Sequence, residues 1–402
     1  MASMVTDSGA QMIKPPEDLR RSPIRAGVRR LIGGCFGAFL LVVFAGTWLH
    51  WDPAESRENR NLAKLPGLPR NYQEAKSFSS RVMVFYRDHF GFRNALIRAV
   101  ALGKYHGLGP EVNDRIIVGK QGWLFYSKDE KFLADRGLDP FSESELDAWQ
   151  ELLEKREKWF ADRGIRFLVV IPPDKQTIYP EYLPDEFRGF PTPSRLDQLI
   201  DRLRQRNSPV KIVDLRPALL EAKRHGQVYF KTDSHWNDDG VYAGYLALLD
   251  AIGKELPNHK FAAQPLGNFA VETVIKTGDL AQQLDLYFEY HEETRELIRR
   301  DFLGRPEAFE KLIQIPSTDG PDPSTPRLLT YNDSFLGPLV QFLSANFSHA
   351  TYFWNPITEI IDPSPVEKAK PDIVIDEFVE RKLHDAIPID PPEISDQRVA
   401  PR

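Results

Sequence analysis

The sequence contains almost no cysteine. Cys35 is the single cysteine in 402 residues, which excludes an internal disulfide, a cysteine zinc knuckle, an iron–sulfur cluster and a thioredoxin-type pair. Phosphate-binding loops of the GxxxxGK[ST] and strand-linked GxGxxG types are also missing. The run His291-Glu292-Glu293 is not HExxH, because Arg295 stands where the second histidine would be. We therefore expect no metal and no bound cofactor.

Charge is missing from residues 31–49, an apolar run of 19 residues that is long enough to cross a bilayer. Residues 1–30 carry six basic and three acidic groups, a net charge of +3. Because the whole chain has a net charge of −6, the part after the run carries −9. Basic residues crowd on the cytoplasmic side of a span. The sequence thus predicts a cytoplasmic tail over 1–30, a transmembrane anchor over 31–50 and a periplasmic remainder.

Two other interpretations of this run stay open. Small residues at Ala45-Gly46-Thr47 suit a cleaved signal peptide, and a buried core helix can have the same length. The polar segment of 30 residues before the run favours an uncleaved, single-pass anchor in the inner (cytoplasmic) membrane. The net charge of −9 outside offers no basic stripe for phosphates, so we expect no nucleic-acid partner.

The part of the chain after the run begins with a polar, proline-containing segment. Residues 51–75 are predicted to be a stalk, and residues 76–105 are predicted to be helical. Two β-rich stretches around a glycine turn predict a hairpin over 116–126. The predicted soluble domain extends over 76–385, with insertions such as 256–326, and the Pro/Asp-rich end over 386–402 is expected to be disordered.

From Ser142 onward, helix and strand patterns alternate. Ser142 and Glu145 form a capping-box pattern before an amphipathic helix, and Gly164 ends it. Apolar strands follow at 166–171 and 210–213, and the other predicted elements are, in chain order, helix 194–206, helix 239–255, strand 327–331, a helix from Phe335, strand 373–375 and helix 377–383. Continuous apolar strands between amphipathic helices predict an α/β fold with a parallel sheet flanked by helices. Ligands of such sheets bind at the carboxyl ends of the strands.

Asp233 and His235 are the first pair that could carry out chemistry. They follow the apolar run 228–230, and side chains two apart in an extended segment point the same way. A carboxylate held against an imidazole fixes its tautomer and stabilises the imidazolium when the histidine acts as a base. A pair of solvated or structural side chains is the alternative interpretation.

Ser334 is the candidate nucleophile. It lies in a turn between a predicted strand and a predicted helix, so its hydroxyl can stand above the edge of the sheet with its own N–H as an oxyanion donor. An ordinary helix N-cap is the other interpretation. Both segments belong at carboxyl ends of strands, where a serine, a histidine and an aspartate could meet.

These residues resemble the AlgJ/AlgX group of polysaccharide O-acetyltransferases, which have an SGNH-hydrolase-like fold. The runs Thr232-Asp233-Ser234-His235-Trp236 and Asn332-Asp333-Ser334-Phe335 are similar to its two catalytic motifs. Further similar stretches, spread over residues 59–385, are Asn59-Arg60, Gly122-Trp123-Leu124-Phe125-Tyr126, Pro172-Pro173-Asp174-Lys175, Ile178-Tyr179-Pro180-Glu181, Thr277-Gly278-Asp279-Leu280, Pro371-Asp372-Ile373-Val374 and Glu380-Arg381.

The resemblance implies a role for each residue. Ser334 would be acetylated, His235 would take its proton and later activate the acceptor hydroxyl, and Asp233 would orient His235. Asn332 departs from the glycine that SGNH enzymes usually have at this position, although asparagine tolerates a left-handed backbone. Lys175 and Tyr179 could line the cleft, but we expect both to be solvated at the surface.

The resemblance also implies partners. The acceptor would be an exopolysaccharide, alginate-like or cellulose-like, and a polytopic membrane acyltransferase of the MBOAT type would supply the acetyl group. The residues leave two alternatives open: a carbohydrate acetylesterase with the same triad, and a non-catalytic polymer-binding subunit of a secretion complex.

Overall fold

The computed structural model describes residues 23–49, 62–107, 111–113, 115–127, 137–187, 192–284, 286, 290–300, 317–355 and 360–395. They fall into two compact units, within Met1–Val100 and within Ala101–Arg402. The greater part of the predicted tail over 1–30, and the first part of the predicted stalk over 51–75, lie outside the described residues.

The first unit contains a candidate membrane span. Helices α1 (Pro23–Leu49) and α2 (Tyr72–His89) are followed by α3 (Arg93–Gly107), and the segment Arg30–Thr47 of α1 is long and apolar enough to cross a bilayer. A signal sequence has the same length and composition. Helix α2 begins at Tyr72, within the segment predicted as a stalk, because the Asn71 side chain accepts a hydrogen bond from the third residue of the helix.

The second unit is built on a mixed six-stranded sheet. Its strands are β4 (Arg166–Ile171), β5 (Ile212–Asp214), β8 (Ser317–Asp319), β9 (Arg327–Asn332), β10 (His349–Trp354) and β11 (Ile373–Glu377). The spatial order is β5-β4-β11-β9-β10-β8, and all neighbours are parallel except β8, which pairs antiparallel with β10. The predicted parallel sheet is therefore confirmed for five strands, with an antiparallel edge strand added.

Smaller sheets accompany the main one. The predicted hairpin over 116–126 is present as β2 (Ile116–Val118) and β3 (Leu124–Tyr126), with β1 (Glu111–Asn113) on its outer side. Within 256–326, β6 (Phe269–Lys276) and β7 (Glu292–Arg299) pair antiparallel along their whole length. This pair reaches the functional site described below.

Helices cover both faces of the main sheet. In chain order they are α4 (Glu143–Ala161), α5 (Lys175–Ile178), α6 (Arg195–Gln205), α7 (Arg216–Lys223), α8 (Asp238–Glu255), α9 (Asp279–Gln283), α10 (Val340–Leu343), α11 (Ser364–Ala369) and α12 (Pro392–Ser395). The predicted capping box of Ser142 and Glu145 is present at the start of α4. Along β4, Leu168 and Val170 enter the core beneath α8, while Val169 enters the core beneath α4 and α6. The strand is buried on both faces, which explains its unbroken apolar sequence.

The segment after Ile373 differs from the prediction. The expected helix over 377–383 is wrong, because β11 continues through Glu377 and is followed by a 3-10 turn over Glu380–His384. The Glu377 carboxylate is fully buried and accepts a hydrogen bond from the Asp333 N–H at 3.0 Å. A long-range partner of this kind keeps a helix-forming residue in a strand.

The C-terminal segment also differs from the expected disordered tail over 386–402. Asp390 and Ile394 are 4% and 0% exposed, and Asp390 accepts two hydrogen bonds from the buried Arg156, at 2.7 and 2.8 Å. Residues 386–395 are therefore ordered by a buried ion pair, while 396–402 lie outside the described residues.

Candidate acetyl-transfer site

Ser334 lies in the turn that follows β9, at the carboxyl end of the strand. The side chain of Asp333 fixes this turn, because its two oxygens accept hydrogen bonds from Phe335 N at 2.8 Å and from Val379 N at 2.9 Å. Among the described residues, no acceptor faces the N–H of Ser334 itself. That N–H is thus available as one oxyanion donor.

Asn332 replaces glycine without strain. It is the last residue of β9, and it is absent from the described residues that have a left-handed backbone. Its side chain accepts a hydrogen bond from the Thr330 hydroxyl at 2.7 Å and donates one to the Asp333 carbonyl at 3.2 Å. The turn therefore does not need the conformational freedom of glycine, and the departure from the family pattern has a structural explanation.

Asp233 and His235 meet in a bend between Tyr229 and Trp236, which form an isolated antiparallel bridge. The Asp233 carboxylate accepts hydrogen bonds from the His235 backbone N–H at 3.0 Å and from Nδ1 of the His235 ring at 2.7 Å. The two side chains come together through an Asx turn and not through the extended segment that spacing predicted. An aspartate can bond its own backbone two residues on, and here this local bond outcompetes the strand.

His235 joins the two halves of the site. Its Nε2 lies 2.8 Å from Ser334 Oγ, and its Nδ1 lies 2.7 Å from Asp233 Oδ1. Because a carboxylate only accepts, the proton sits on Nδ1, and Nε2 accepts the hydroxyl proton of Ser334. The side chains of His235 and Asp233 are 14% and 23% exposed, so a ligand can reach them.

Asp233 and His235 shift each other's pKa values in the directions that favour a negative carboxylate and a positive imidazolium. Burial raises the pKa of Asp233, but the hydrogen bond and charge of His235 outweigh it and hold that pKa well below its usual range. Burial lowers the pKa of His235, but the Asp233 carboxylate outweighs it and raises that pKa above the usual value of 6.5. His235 is therefore a stronger base than a free imidazole.

Aromatic rings and a cation line the space beside the triad. The Phe335 ring lies 4.7 Å from the His235 ring, centroid to centroid. The guanidinium carbon of Arg381 lies 5.4 Å from the Phe335 centroid and 5.0 Å from that of Tyr126. Its positive charge also lowers the pKa of His235 to a small extent, after the effects of burial and of the carboxylates. Such a mixture of apolar and polar groups is typical of ligand sites.

Sequence reasoning missed the residues that hold the Asp233 bend. Asp279, at the start of α9, accepts hydrogen bonds from the backbone and hydroxyl of Ser234, both at 2.7 Å, and its own N–H donates to Asp233 at 3.0 Å. Burial and the Asp233 charge raise the pKa of Asp279 to about 6. Glu292, at the start of β7, holds the preceding residues 231–232. The run Thr277-Gly278-Asp279 was noted in the sequence only as a stretch similar to the family, which did not indicate that Asp279 contacts the bend.

The expected surface positions of Lys175 and Tyr179 are wrong. Lys175 is 2% and Tyr179 is 4% exposed. The Tyr179 hydroxyl accepts a hydrogen bond from Val228 N at 2.9 Å, which makes it a structural contact behind the site. Both residues follow β4, and Trp123 of the β2–β3 hairpin and the loop before His235 cover them.

Asp233, His235 and Asp279 are the one set of described side chains whose spacing could suit a metal ion, with ligand atoms within 4.8 Å of one another. Their polar atoms already have protein partners: Asp233 is bonded to His235, and Asp279 to Ser234. The hydrogen-bond network accounts for this cluster without an ion.

A doubly flanked α/β sheet with a serine at the carboxyl end of one strand, and a histidine and an aspartate on a loop that reaches it, is typical of an SGNH-hydrolase-like domain. Residues 116–301 match the family model described as "SGNH hydrolase-like domain, acetyltransferase AlgX". The match covers this central part of the chain, and the resemblance seen in the sequence is confirmed. The matched range includes Asp233 and His235 and ends before Ser334.

Several known proteins are similar to this chain. The probable alginate O-acetylase AlgJ of Pseudomonas aeruginosa is 26% identical over 299 residues, which cover 67% of this chain and 70% of that protein. The AlgJ of Azotobacter vinelandii is 31% identical over 137 residues, 33% of this chain and 32% of that protein. The solved O-acetyltransferase domain of Pseudomonas putida AlgJ covers 70% of this chain and 98% of its own, at 23% identity and a TM-score of 0.47. The sequence similarity to the AlgJ proteins supports O-acetyltransferase activity.

Proposed function

We propose that this protein is a polysaccharide O-acetyltransferase that carries its acetyl group on Ser334. The observation that carries the proposal is the continuous chain of hydrogen bonds from Ser334 Oγ through His235 to Asp233. Such a chain makes a serine hydroxyl nucleophilic because the imidazole can accept its proton as the new bond forms.

In the first half of the reaction, Ser334 Oγ attacks the acetyl carbonyl carbon and His235 Nε2 takes the hydroxyl proton. The negative charge that develops on the carbonyl oxygen is stabilised by the N–H of Ser334. His235 then returns the proton to the leaving group, and acetyl-Ser334 remains. Asp233 holds the Nδ1 proton throughout, which keeps Nε2 free to act.

In the second half, a hydroxyl of the polysaccharide attacks acetyl-Ser334. His235 accepts the hydroxyl proton, the ester bond to Ser334 breaks, and Ser334 Oγ regains a proton from His235. Alginate is the acceptor named for the similar AlgJ proteins, and we propose an alginate-like or cellulose-like exopolysaccharide as the acceptor of this protein.

The acetyl donor and the location follow from the candidate span and the family resemblance. With α1 as an anchor in the inner membrane and basic residues on its cytoplasmic side, the domain would lie in the periplasm. Acetyl groups would then come across the membrane through an MBOAT-type acyltransferase, which is the proposed partner.

A carbohydrate acetylesterase would use the same acyl-enzyme with water as the acceptor. The two activities are separated by product analysis after the purified protein is incubated with an activated acetyl ester and an unacetylated oligosaccharide. Acetylated sugar supports the transferase, whereas free acetate without acetylated sugar would establish the esterase.

Ser334→Ala tests the proposal against a non-catalytic polymer-binding role. We expect the variant to fold, to lose acetylation of the polymer in cells, and to stop gaining the mass of one acetyl group when treated with 4-nitrophenyl acetate. Ser348→Ala is the matched control, because in the described part of the chain that hydroxyl bonds to the Pro326 carbonyl, at 3.2 Å, and not to the site. Normal acetylation in the Ser334→Ala strain would contradict the assignment.

A further inference from the structure

Lys175 lies buried beneath the bend that carries Asp233 and His235. It begins α5, directly after β4 and the turn at Pro172 and Pro173, and its side chain is 2% exposed. The Nζ atom donates hydrogen bonds to the carbonyls of Phe230, Lys231 and Asp233, at 3.0, 3.1 and 2.5 Å. An ammonium group has three protons, so these bonds use all of them.

All three protons go to one short loop. In the described part of the chain, the ammonium's hydrogen bonds go to backbone carbonyls, and Nζ lies 5.8 and 5.5 Å from the ring centroids of Trp123 and Phe125. A buried ammonium is costly and persists only where its hydrogen bonds are satisfied. The hydrogen bonds that compensate for burying this charge therefore also fix the conformation of residues 230–233.

The N–H groups of the same loop are held from the other side. Glu292 accepts hydrogen bonds from Lys231 N, Thr232 N and the Thr232 hydroxyl, between 2.8 and 2.9 Å. Asp279 holds the next residue, Ser234, as described above. Lys175 therefore binds the carbonyl side of the loop and two carboxylates bind its N–H side, which fixes the peptide planes just before His235.

We propose that Lys175 is a positioning residue for acetyl transfer: by holding three carbonyls of the loop, it keeps Asp233 and His235 in line with Ser334. This inference rests on the proposed function, because it assumes that the Asp233–His235–Ser334 chain is catalytic. Lys175 acts through the loop and makes no contact with the reacting atoms.

The charge state of the group is compatible with this role at neutral pH. Burial lowers the pKa of Lys175 to about 8, against the opposing effects of the surrounding carboxylates of Asp233, Glu292, Asp279 and Asp174. The ammonium form is therefore the main one at pH 7, with three protons to donate.

The test uses the full chain, purified in detergent, with Lys175→Met as the main variant. Methionine fills a similar volume and donates no hydrogen bond, so the loop carbonyls lose all three donors. A displacement of about 1 Å at a catalytic group can cost on the order of 100-fold in rate. We expect the rate of Ser334 acetylation by 4-nitrophenyl acetate to fall by that factor, with KM changed far less than kcat.

A spectroscopic signal separates positioning from mere loss of stability. The Nδ1 proton of His235, shared with Asp233, should give a far-downfield proton resonance in the parent protein. In Lys175→Met this resonance should weaken or move upfield while the circular dichroism of the protein is retained. Should Lys175→Met fail to fold, Lys175→Gln replaces it, because glutamine is neutral, costs less to bury and still provides two donors. Its rate should be lower than that of the parent protein and, where both variants fold, higher than that of Lys175→Met.

Lys223→Met is the matched control. Lys223 also lies over an aromatic ring, that of Tyr179 at 4.4 Å, and also donates to a backbone carbonyl, that of Ile178 at 2.6 Å. It pairs with Glu181 at 2.6 Å, and among the described residues its contacts lie outside the loop. Its variant should keep the parental rate and resonance. If Ser334→Ala abolishes acetylation while folded Lys175→Met and Lys175→Gln keep the parental rate and the His235 resonance, the positioning role is wrong. If Ser334→Ala keeps activity, the proposed function itself fails.

Discussion

At the scale of single residues, the site depends on one imidazole that faces a carboxylate on one side and a hydroxyl on the other. His235 makes these contacts at 2.7 and 2.8 Å, so it needs no movement to begin proton transfer. Asp233 does more than orient the ring, since the same carboxylate also accepts hydrogen bonds from two backbone N–H groups, those of His235 and Asp279.

The pH dependence of acetylation should report this contact. Imidazolium cannot accept the Ser334 proton, so the rate should fall as the pH decreases through the pKa of His235. Burial lowers that pKa and Asp233 raises it by more, so the fall should centre above the usual value of 6.5. In Asp233→Asn the imidazolium loses its negative neighbour, and the fall should move to lower pH.

The measurement is a pH–rate profile of 4-nitrophenol release in the acylation burst. Ser348→Ala serves as the control and should reproduce the parental profile. A profile that is identical in Asp233→Asn and in the parent would show that Asp233 does not set the basicity of His235.

The sequence indicated that Asp233, His235 and Ser334 lie near one another, but it gave no sign of the residues that hold them in place. Asp233 and His235 are two apart, and the rule that ligands gather at strand ends placed Ser334 near them. Lys175 and Glu292 bond to backbone atoms of a loop more than 50 residues away in sequence. Contacts between segments so far apart in sequence leave no local pattern. A lysine is therefore expected at the surface, where most lysines lie, even when it is buried.

At the scale of elements, the start of α9 and the Asp233 bend are pressed together. A β-carbon added to Gly278 would overlap the carbonyl group of Thr232 and the N atom of Asp233. We therefore expect Gly278→Ala to push α9 away, to weaken the bond from Asp279 N to Asp233, and to lower the acetylation rate by at least about 10-fold.

The measurement is the burst rate, compared with the midpoint of thermal unfolding. Gly267→Ala is the matched control, because a β-carbon there meets nothing within 4 Å. Equal rates in both glycine variants would mean that the contact between α9 and the bend does not influence catalysis.

The elements predicted best are those whose own residues form a recognisable pattern. The capping box at Ser142 and the two-sided apolar strand β4 are both present. The helix expected from Phe335 is instead a 3-10 turn over Gly337–Leu339 that leads into α10, and the Phe335 carbonyl accepts a hydrogen bond from Trp236 Nε1 at 3.1 Å. Strand β11 runs through Glu377, whose buried carboxylate accepts a hydrogen bond from Asp333 N. Tertiary contacts override local propensity there.

At the scale of the whole molecule, the C-terminal segment is tied into the core by charge. Arg156 is fully buried between Asp376 and Asp390, and Ile361 N also donates to Asp390, at 3.0 Å. Asp390→Ala removes one of the two carboxylates described around Arg156. Removing one partner of a buried pair costs about 3–5 kcal/mol.

We expect the free energy of unfolding of Asp390→Ala to fall by that amount, measured by urea denaturation, while the acetylation rate of the folded protein changes little. Asp385→Ala is the control, because its ion pair with Lys382, at 3.7 Å, is partly exposed and a pair of that kind contributes about 1 kcal/mol or less. An equal decrease in the free energy of unfolding in both variants would show that the buried ion pair stabilises the fold no more than the exposed one.

The short strands at the two edges of the main sheet affect how copies of this protein can contact one another. In the described part of the sheet, the edge strands β5 and β8 are each three residues long, so each offers a second copy only a short row of backbone groups. Short edge strands discourage edge-to-edge aggregation. Proteins anchored in one membrane meet each other far more often than proteins in dilute solution. With the proposed membrane anchor, a sheet that ends in such short strands would let many copies lie close together in the plane of the membrane without pairing edge to edge.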